Sequence, residues 1–160
     1  MRRIAALFLI IFLVATAHAE ELRGKVVAIS DGDTITVLDA HKEKHKIRLS
    51  GIDAPESKQA FGSKAKQALG ERIGERNVVV EWKEKDRYGR IVGDVSLGDR
   101  NINLEMVEAG MAWHYKRYSK SKELAAAEEL ARKERRGLWV DKEPEPPWEF
   151  RKKERERDKK

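Results

Sequence analysis

Three short clusters in the chain carry the residue types that phosphate chemistry needs. Asp31-Gly32-Asp33-Thr34 offers two carboxylates in a tight turn. Arg48 is followed by Asp53-Ala54-Pro55-Glu56, a guanidinium with two further carboxylates. Arg87-Tyr88-Gly89-Arg90 adds two guanidiniums beside an aromatic ring. Carboxylates held close together repel unless a cation or an arginine neutralises them. Hard dications such as Ca2+ bind about six to eight oxygens, drawn from carboxylates, backbone carbonyls and water. Arginine stays charged and presents a rigid fork that matches phosphate oxygens. One cation site, one spare carboxylate and a pair of guanidiniums are the inventory of a metal-dependent phosphodiesterase, where fixed positive charge stabilises the crowded phosphorus centre.

Taken singly, each cluster has a plainer explanation. Asp-Gly is a common hairpin turn. Asp53-Ala54-Pro55-Glu56 resembles an ordinary helix entry, with Pro55 disfavouring α geometry at Ala54. A surface arginine pairs with a carboxylate for roughly 0–1 kcal/mol. The weight lies in the three clusters occurring together, and in Arg48 standing in an otherwise apolar strand.

The surrounding elements are those that could bring the clusters to one place. Val27 and Ile29, then Ile35 and Val37, then Ile47 and Leu49 alternate with polar or small neighbours. A period of two predicts three short strands with one buried face. Val78–Trp82 and Ile91–Val95 predict two more. Phe61, Ala65 and Leu69 recur at helical spacing and predict a helix over 57–73, capped by Glu56 or Ser57 and stopped at Gly74. Asn101 caps a short helix over 102–109, and a last helix spans 121–136. Leu138 and Trp139 follow as an anchor onto the core. Short β segments with tight connections suggest a curled sheet or small barrel in an α+β fold.

Bulk properties set limits. The chain has 160 residues and no cysteine, so neither disulfides nor thiolate chemistry are available. Arg2, Arg3, the apolar run Ile4–Ala17 and Ala17-His18-Ala19 read as an export signal over residues 1–19, cleaved after Ala19. The run is about 14 residues, short of the roughly 20 that span a bilayer. The mature chain is then one domain with no membrane span, periplasmic or extracellular. The formal charge of +6 is compatible with a polyanionic partner. Residues 141–160 are rich in proline and then wholly charged, and read as a disordered tail that adds nonspecific attraction to a polyanion.

The chain resembles the staphylococcal nuclease (thermonuclease) family. The matching residues are Asp31-Gly32-Asp33-Thr34, Ile47-Arg48-Leu49 leading to Gly51-Ile52-Asp53-Ala54-Pro55-Glu56, Asp86-Arg87-Tyr88-Gly89-Arg90, and Arg136-Gly137-Leu138-Trp139. They fall in family order over roughly residues 22–140. The resemblance implies an oligonucleotide-binding (OB-fold) barrel of five strands with three helices over 20–140. It implies Ca2+ held by Asp33, Asp53 and the backbone carbonyl of Ala54, with Asp31 in the outer shell. It makes Glu56 the residue that orients or deprotonates water, and Arg48 and Arg90 the phosphate clamp. Arg87, Tyr88, Tyr115 and Tyr118 are the candidates for holding substrate. Family members often carry threonine where this chain has Ala54, so a hydroxyl near the ion is lost while the carbonyl remains. The implied substrates are DNA and RNA, mainly single-stranded, with 3′-phosphate ends left by a monomeric enzyme that needs no stable protein partner. Two other classes remain: a barrel that binds single strands without cutting, and an envelope adhesion protein whose basic face meets anionic glycans or lipid.

Overall fold

The computed structural model describes residues 20–159, so the signal segment lies outside the described residues. In chain order the elements are β1 (Glu20–Ile29), β2 (Thr34–Asp39), β3 (Lys44–Leu49), β4 (Ile52–Asp53), α1 (Gly62–Ile73), β5 (Asn77–Lys85), β6 (Ile91–Leu97), β7 (Arg100–Asn101), α2 (Ile102–Glu108), β8 (Trp113–His114), α3 (Lys122–Lys133) and α4 (Pro147–Arg157). A 3-10 turn, Gly137–Val140, lies between the last two helices.

The strands run in the order β3-β2-β1-β5-β6, and a parallel pairing of β6 with β3 closes them into a five-stranded barrel. This is the small barrel in an α+β fold that the alternating pattern suggests, and the five-stranded OB-type barrel that the resemblance implies. Val26, Ile35, Val37, Ile47, Leu49, Val78, Val80, Ile91 and Val95 point inward and are buried. Each such side chain is worth about 1.5–3 kcal/mol when removed from water. Register irregularities at Val26/Ala28 in β1 and Trp82/Glu84 in β5 bend those strands, as closure of a small barrel requires. The same apolar register aims Arg48 away from the interior. A slip of one residue in β3 would turn Ile47 and Leu49 to solvent and drive a guanidinium into the core.

α1 lays Ala65, Leu69 and Ile73 on the barrel. The Asn101 side chain caps α2 by accepting from the Leu104 amide, and Ser121 caps α3 in the same way through Leu124. Leu138 and Trp139 enter a second apolar cluster with Trp113 and Ala131, with Phe61 and Trp148 against it.

Three expectations need correction. The first helix starts at Gly62, not at 57, because residues 56–61 fold into consecutive turns. Gln59 donates its amide to the Glu56 carbonyl at 2.8 Å, Gly62 donates to Gln59 at 3.0 Å, and Phe61 adopts a left-handed φ of 66°. Neither Glu56 nor Ser57 is its cap. Second, the described residues contain four α-helices where three were expected. Third, the segment read as a disordered tail contains the extra one. Pro147 occupies a first-turn position of α4, where proline has no helical amide bond to lose and its fixed φ favours the helix. Glu149 in the first turn and Arg155 and Arg157 in the last suit the helix dipole. The buried face of α4 is only one residue wide at Pro147, too narrow to show as an apolar stripe. No helix among the described residues is long and apolar enough to cross a membrane.

Candidate active site

The two acidic clusters meet because the strands that carry them are neighbours. Asp31-Gly32-Asp33 forms the turn from β1 to β2, closed by the Ser30 amide on the Thr34 carbonyl at 2.8 Å. Inside it the Asp33 amide donates to Asp31 Oδ1 at 3.0 Å, so the first aspartate aims the second. Across the β2–β3 ladder, Thr34 pairs with Arg48. Gly32 is required by close packing: a Cβ there would lie 2.6 Å from the Ala65 Cβ and 2.7 Å from the Ala54 Cβ. The small side chain of Ala54 thus belongs to a tight contact between this turn, the Asp53 loop and α1.

Arg48 is the hub. Its NH1 donates to the backbone carbonyls of Leu49 at 2.8 Å and Ile52 at 2.9 Å. Its NH2 donates to Asp53 Oδ1 at 2.9 Å and lies 3.1 Å from Asp33 Oδ2. Those two carboxylate oxygens are therefore no more than 6.0 Å apart. Asp33 Oδ2 also accepts the Ala54 amide at 2.6 Å, and the Thr34 hydroxyl donates to Oδ1 at 3.1 Å. Asp33 and Asp53 are both buried. Burial pushes the Asp33 carboxyl up to about 7; Arg48 opposes this, while the charges of Asp31 and Asp53 add to it. The raised value reflects burial first, with the neighbouring carboxylates adding to it.

A residue that was not expected here supplies positive charge to the cluster. Arg151, from α4, donates NH1 to Glu56 Oε1 at 2.6 Å and to Asp53 Oδ1 at 3.1 Å, and NH2 to Asp53 Oδ2 at 2.8 Å. Burial works against its charge, yet the hydrogen bonds to Asp53 and Glu56 outweigh that and raise its pKa above the ordinary arginine value. Arg151 lies 98 residues from Asp53. The local signal was a basic residue directly after Trp148-Glu149-Phe150, which does not distinguish it from its charged neighbours.

The remaining candidates divide into two groups. β4 pairs with β8, placing Asp53 opposite Trp113, and the Tyr115 amide donates to the Gly51 carbonyl at 2.8 Å. The aromatic segment is thereby tied to the acidic loop. Tyr115 packs edge-on to Tyr118, with ring centroids 4.8 Å apart, and stacks flat against Trp148 at 5.4 Å. Tyr118 is exposed. Arg87, Tyr88 and Arg90 stand apart in the β5–β6 turn. Asp86 organises that turn: it accepts the Tyr88 and Arg90 amides at 2.9 and 3.0 Å and the Arg90 Nε at 2.7 Å. Arg87 NH2 donates to the Tyr88 hydroxyl at 2.6 Å, and both guanidiniums lie over the exposed Tyr88 ring. Among the described residues no hydrogen bond or ion pair joins this turn to the acidic cluster. The pairing of β3 with β6 sets Arg48 opposite Val92. Arg90 directly precedes β6, and its guanidinium is held by Asp86 over the Tyr88 ring.

The donor set suits a hard cation. Asp33, Asp53 and Glu56 offer only oxygen, and with Asp31 these four carboxylates outnumber the two guanidiniums, Arg48 and Arg151, among them. The carboxylates are spread around the two guanidiniums. A tighter set, Asp39, Glu43 and His45 with candidate ligand atoms within 4.8 Å of one another, sits at the far end of the β2–β3 hairpin. There Asp39 accepts the His41 and Glu43 amides at 2.9 Å and pairs with the His45 ring at 2.8 Å, which accounts for it as the framework of a turn.

Comparison with known proteins points to one family. The family model described as staphylococcal nuclease homologue matches residues 46–141. A Haemophilus influenzae protein described as an uncharacterized endonuclease is 42% identical over 152 residues, covering 95% of this chain and 85% of that protein. Escherichia coli protein ParB is 43% identical over 158 residues, covering 92% and 89%. Shigella flexneri micrococcal nuclease is 41% identical over 162 residues, covering 94% and 91%. With its barrel, its convergent carboxylates and these relatives, the chain belongs to the staphylococcal nuclease family.

Proposed function

We propose that the protein is an exported, Ca2+-dependent nuclease that hydrolyses phosphodiester bonds in single-stranded DNA and RNA, and in duplex DNA where the strands open. The observation that carries the reading is Arg48: two backbone carbonyls hold its guanidinium, and its remaining nitrogen faces Asp33 and Asp53 beside Glu56. The family membership and the relatives' names as nucleases support the same reading.

Asp33, Asp53 and the Ala54 carbonyl would hold the Ca2+, with Asp31 behind them. When bound, the ion supplies Lewis-acid stabilisation of charge on the phosphate. Glu56 takes a proton from the attacking water as its oxygen bonds to phosphorus and the bond to the 5′ oxygen breaks. The departing oxygen takes up a proton, and a 3′-phosphate end remains. Arg48 and Arg90 donate to the equatorial oxygens, where charge develops. Tyr88, Arg87, Tyr115 and Tyr118 flank the phosphate with stacking and cationic groups, which suit unpaired bases and select little sequence. The enzyme acts as a monomer.

A positioned general base is worth about 10²–10⁴ in rate, well short of what such inert esters demand. Arginine and cation electrostatics must supply the rest. Labelled single-stranded DNA should shorten with Ca2+ and survive with a chelator. Glu56→Gln should lower kcat by about 10²–10⁴ while substrate binding is kept. Arg48→Ala and Arg90→Ala should cost a comparable factor. Equal activity in Glu56→Gln would remove Glu56 from the mechanism, and cleavage indifferent to chelator would remove the ion.

A further inference from the structure

The helix that folds back from the C-terminal segment is built into the candidate centre. Its first turn is anchored on both sides of the acidic loop. Pro147 is buried. The Trp148 ring stacks flat on Tyr115 and meets Trp113 edge-on, each with centroids 5.4 Å apart. Just ahead of the helix, the Glu145 carbonyl accepts the Gln59 side-chain amide at 2.6 Å, and the Gln59 carbonyl group Oε1 accepts the Glu56 amide at 3.1 Å. The segment therefore grips the same turn that carries Glu56. One helical turn beyond Pro147, Arg151 lies on the anchored face and reaches Asp53 and Glu56.

We propose that Arg151 is a positioning residue of the nuclease reaction, a third guanidinium that holds Asp53 and Glu56 at a set separation. The inference rests on the function proposed above. One nitrogen of Arg151 contacts both residues, so Asp53 Oδ1 and Glu56 Oε1 are no more than 5.7 Å apart. The other nitrogen takes Asp53 Oδ2, which orients that carboxylate about its own axis. Without this bridge the Glu56 carboxylate has no partner among the described residues. The fork geometry matters, since an ammonium has three donors on one nitrogen and lacks the planar two-nitrogen fork that takes both Asp53 oxygens while reaching Glu56. Charge favours the arrangement too. Asp31, Asp33, Asp53 and Glu56 face Arg48 and Arg151, which leaves a deficit that one dication fills. Anchoring by two aromatic contacts and a buried proline makes α4 a fixed wall of the site, with its charged remainder directed into solvent.

The test compares the wild-type chain with Arg151→Ala, Arg151→Lys and the exposed neighbour Lys152→Ala. The readouts are single-strand DNA cleavage with Ca2+, Ca2+ binding by calorimetry, and thermal melting without the ion. Arg151→Ala should lower kcat by about 10–100-fold through misplacement of Glu56, with KM little changed and Ca2+ affinity within about threefold of wild type. Arg151→Lys should recover part of that loss, and Lys152→Ala should match wild type. Should Arg151→Ala fail to fold, the Lys variant decides. Unchanged or raised kcat, a tenfold tighter grip on Ca2+, or a rise in KM at constant kcat would each overturn the inference, as would full activity in Arg151→Lys. If the wild type itself does not cleave, the proposed function fails instead.

Discussion

Asp33 is a buried carboxylate whose titration the fold has moved. Its folded pKa of about 7 stands above the ordinary aspartate value, with burial the main cause. The folded state therefore binds a proton that the unfolded chain has already released. The stability this contributes is full below about pH 4 and is lost as pH rises toward and through 7. In the absence of a divalent ion, melting temperature should fall across that window. Asp33→Asn should flatten the decline and be more stable than wild type at pH 8 by on the order of 1–4 kcal/mol. Ca2+ should restore wild-type stability at pH 8 and raise that of Asp33→Asn much less, because a neutral carbonyl replaces one charged ligand. Differential scanning at several pH values, with and without Ca2+, reads all of this. A wild-type melting temperature that rises from pH 5 to 8 without the ion would contradict it.

Among the elements, the turns between β4 and α1 are the most demanding. They present Glu56 on a folded loop and not on the first turn of a helix, and Gly62 is the position where the loop meets α1. A Cβ on Gly62 would lie 2.0 Å from the Glu56 carbonyl oxygen. Helix propensity favours alanine over glycine by about 1 kcal/mol, so a purely local view expects Gly62→Ala to stabilise α1. The contact reverses that, since backbone has to move to make room. Gly62→Ala should fold with the barrel intact by circular dichroism, yet lose about tenfold or more in kcat as Glu56 shifts. Activity equal to wild type would show that the loop tolerates displacement and that its geometry is not critical.

For the whole molecule, barrel closure brings distant stretches of chain together. β3 and β6 are far apart in sequence, and their parallel pairing sets Arg48 opposite Val92, two residues past Arg90. The absence of cysteine means that this scaffold stands without disulfides, on apolar burial and on any ion it binds. Its stability should be indifferent to reductant. Export itself is tested by the N-terminus of the protein recovered from periplasm or medium. Mass spectrometry should find a chain starting at Glu20, and recovery of the intact leader in the membrane fraction would refute cleavage after Ala19.

Much of this was legible in the amino-acid order because it is local. Alternation in β2, β3, β5 and β6, the cap Asn101, and the turn at Asp31-Gly32 each follow from a few neighbouring residues and the period they share, whereas in β1 a register shift between Val26 and Ala28 buries Val26 in place of the expected Val27. The acidic motif residues could also be named, since their types and spacing already carry the chemistry. Helix boundaries near Glu56 could not be read, because a steric contact between Gly62 and Glu56 overrode the pattern. The C-terminal helix was illegible for a related reason: prolines and charge look like disorder until Trp148 has aromatic rings to lie on and Arg151 has carboxylates to neutralise. Partners 95 and 98 residues away leave no periodic trace along a chain, and it is the folding of the barrel that brings them within reach.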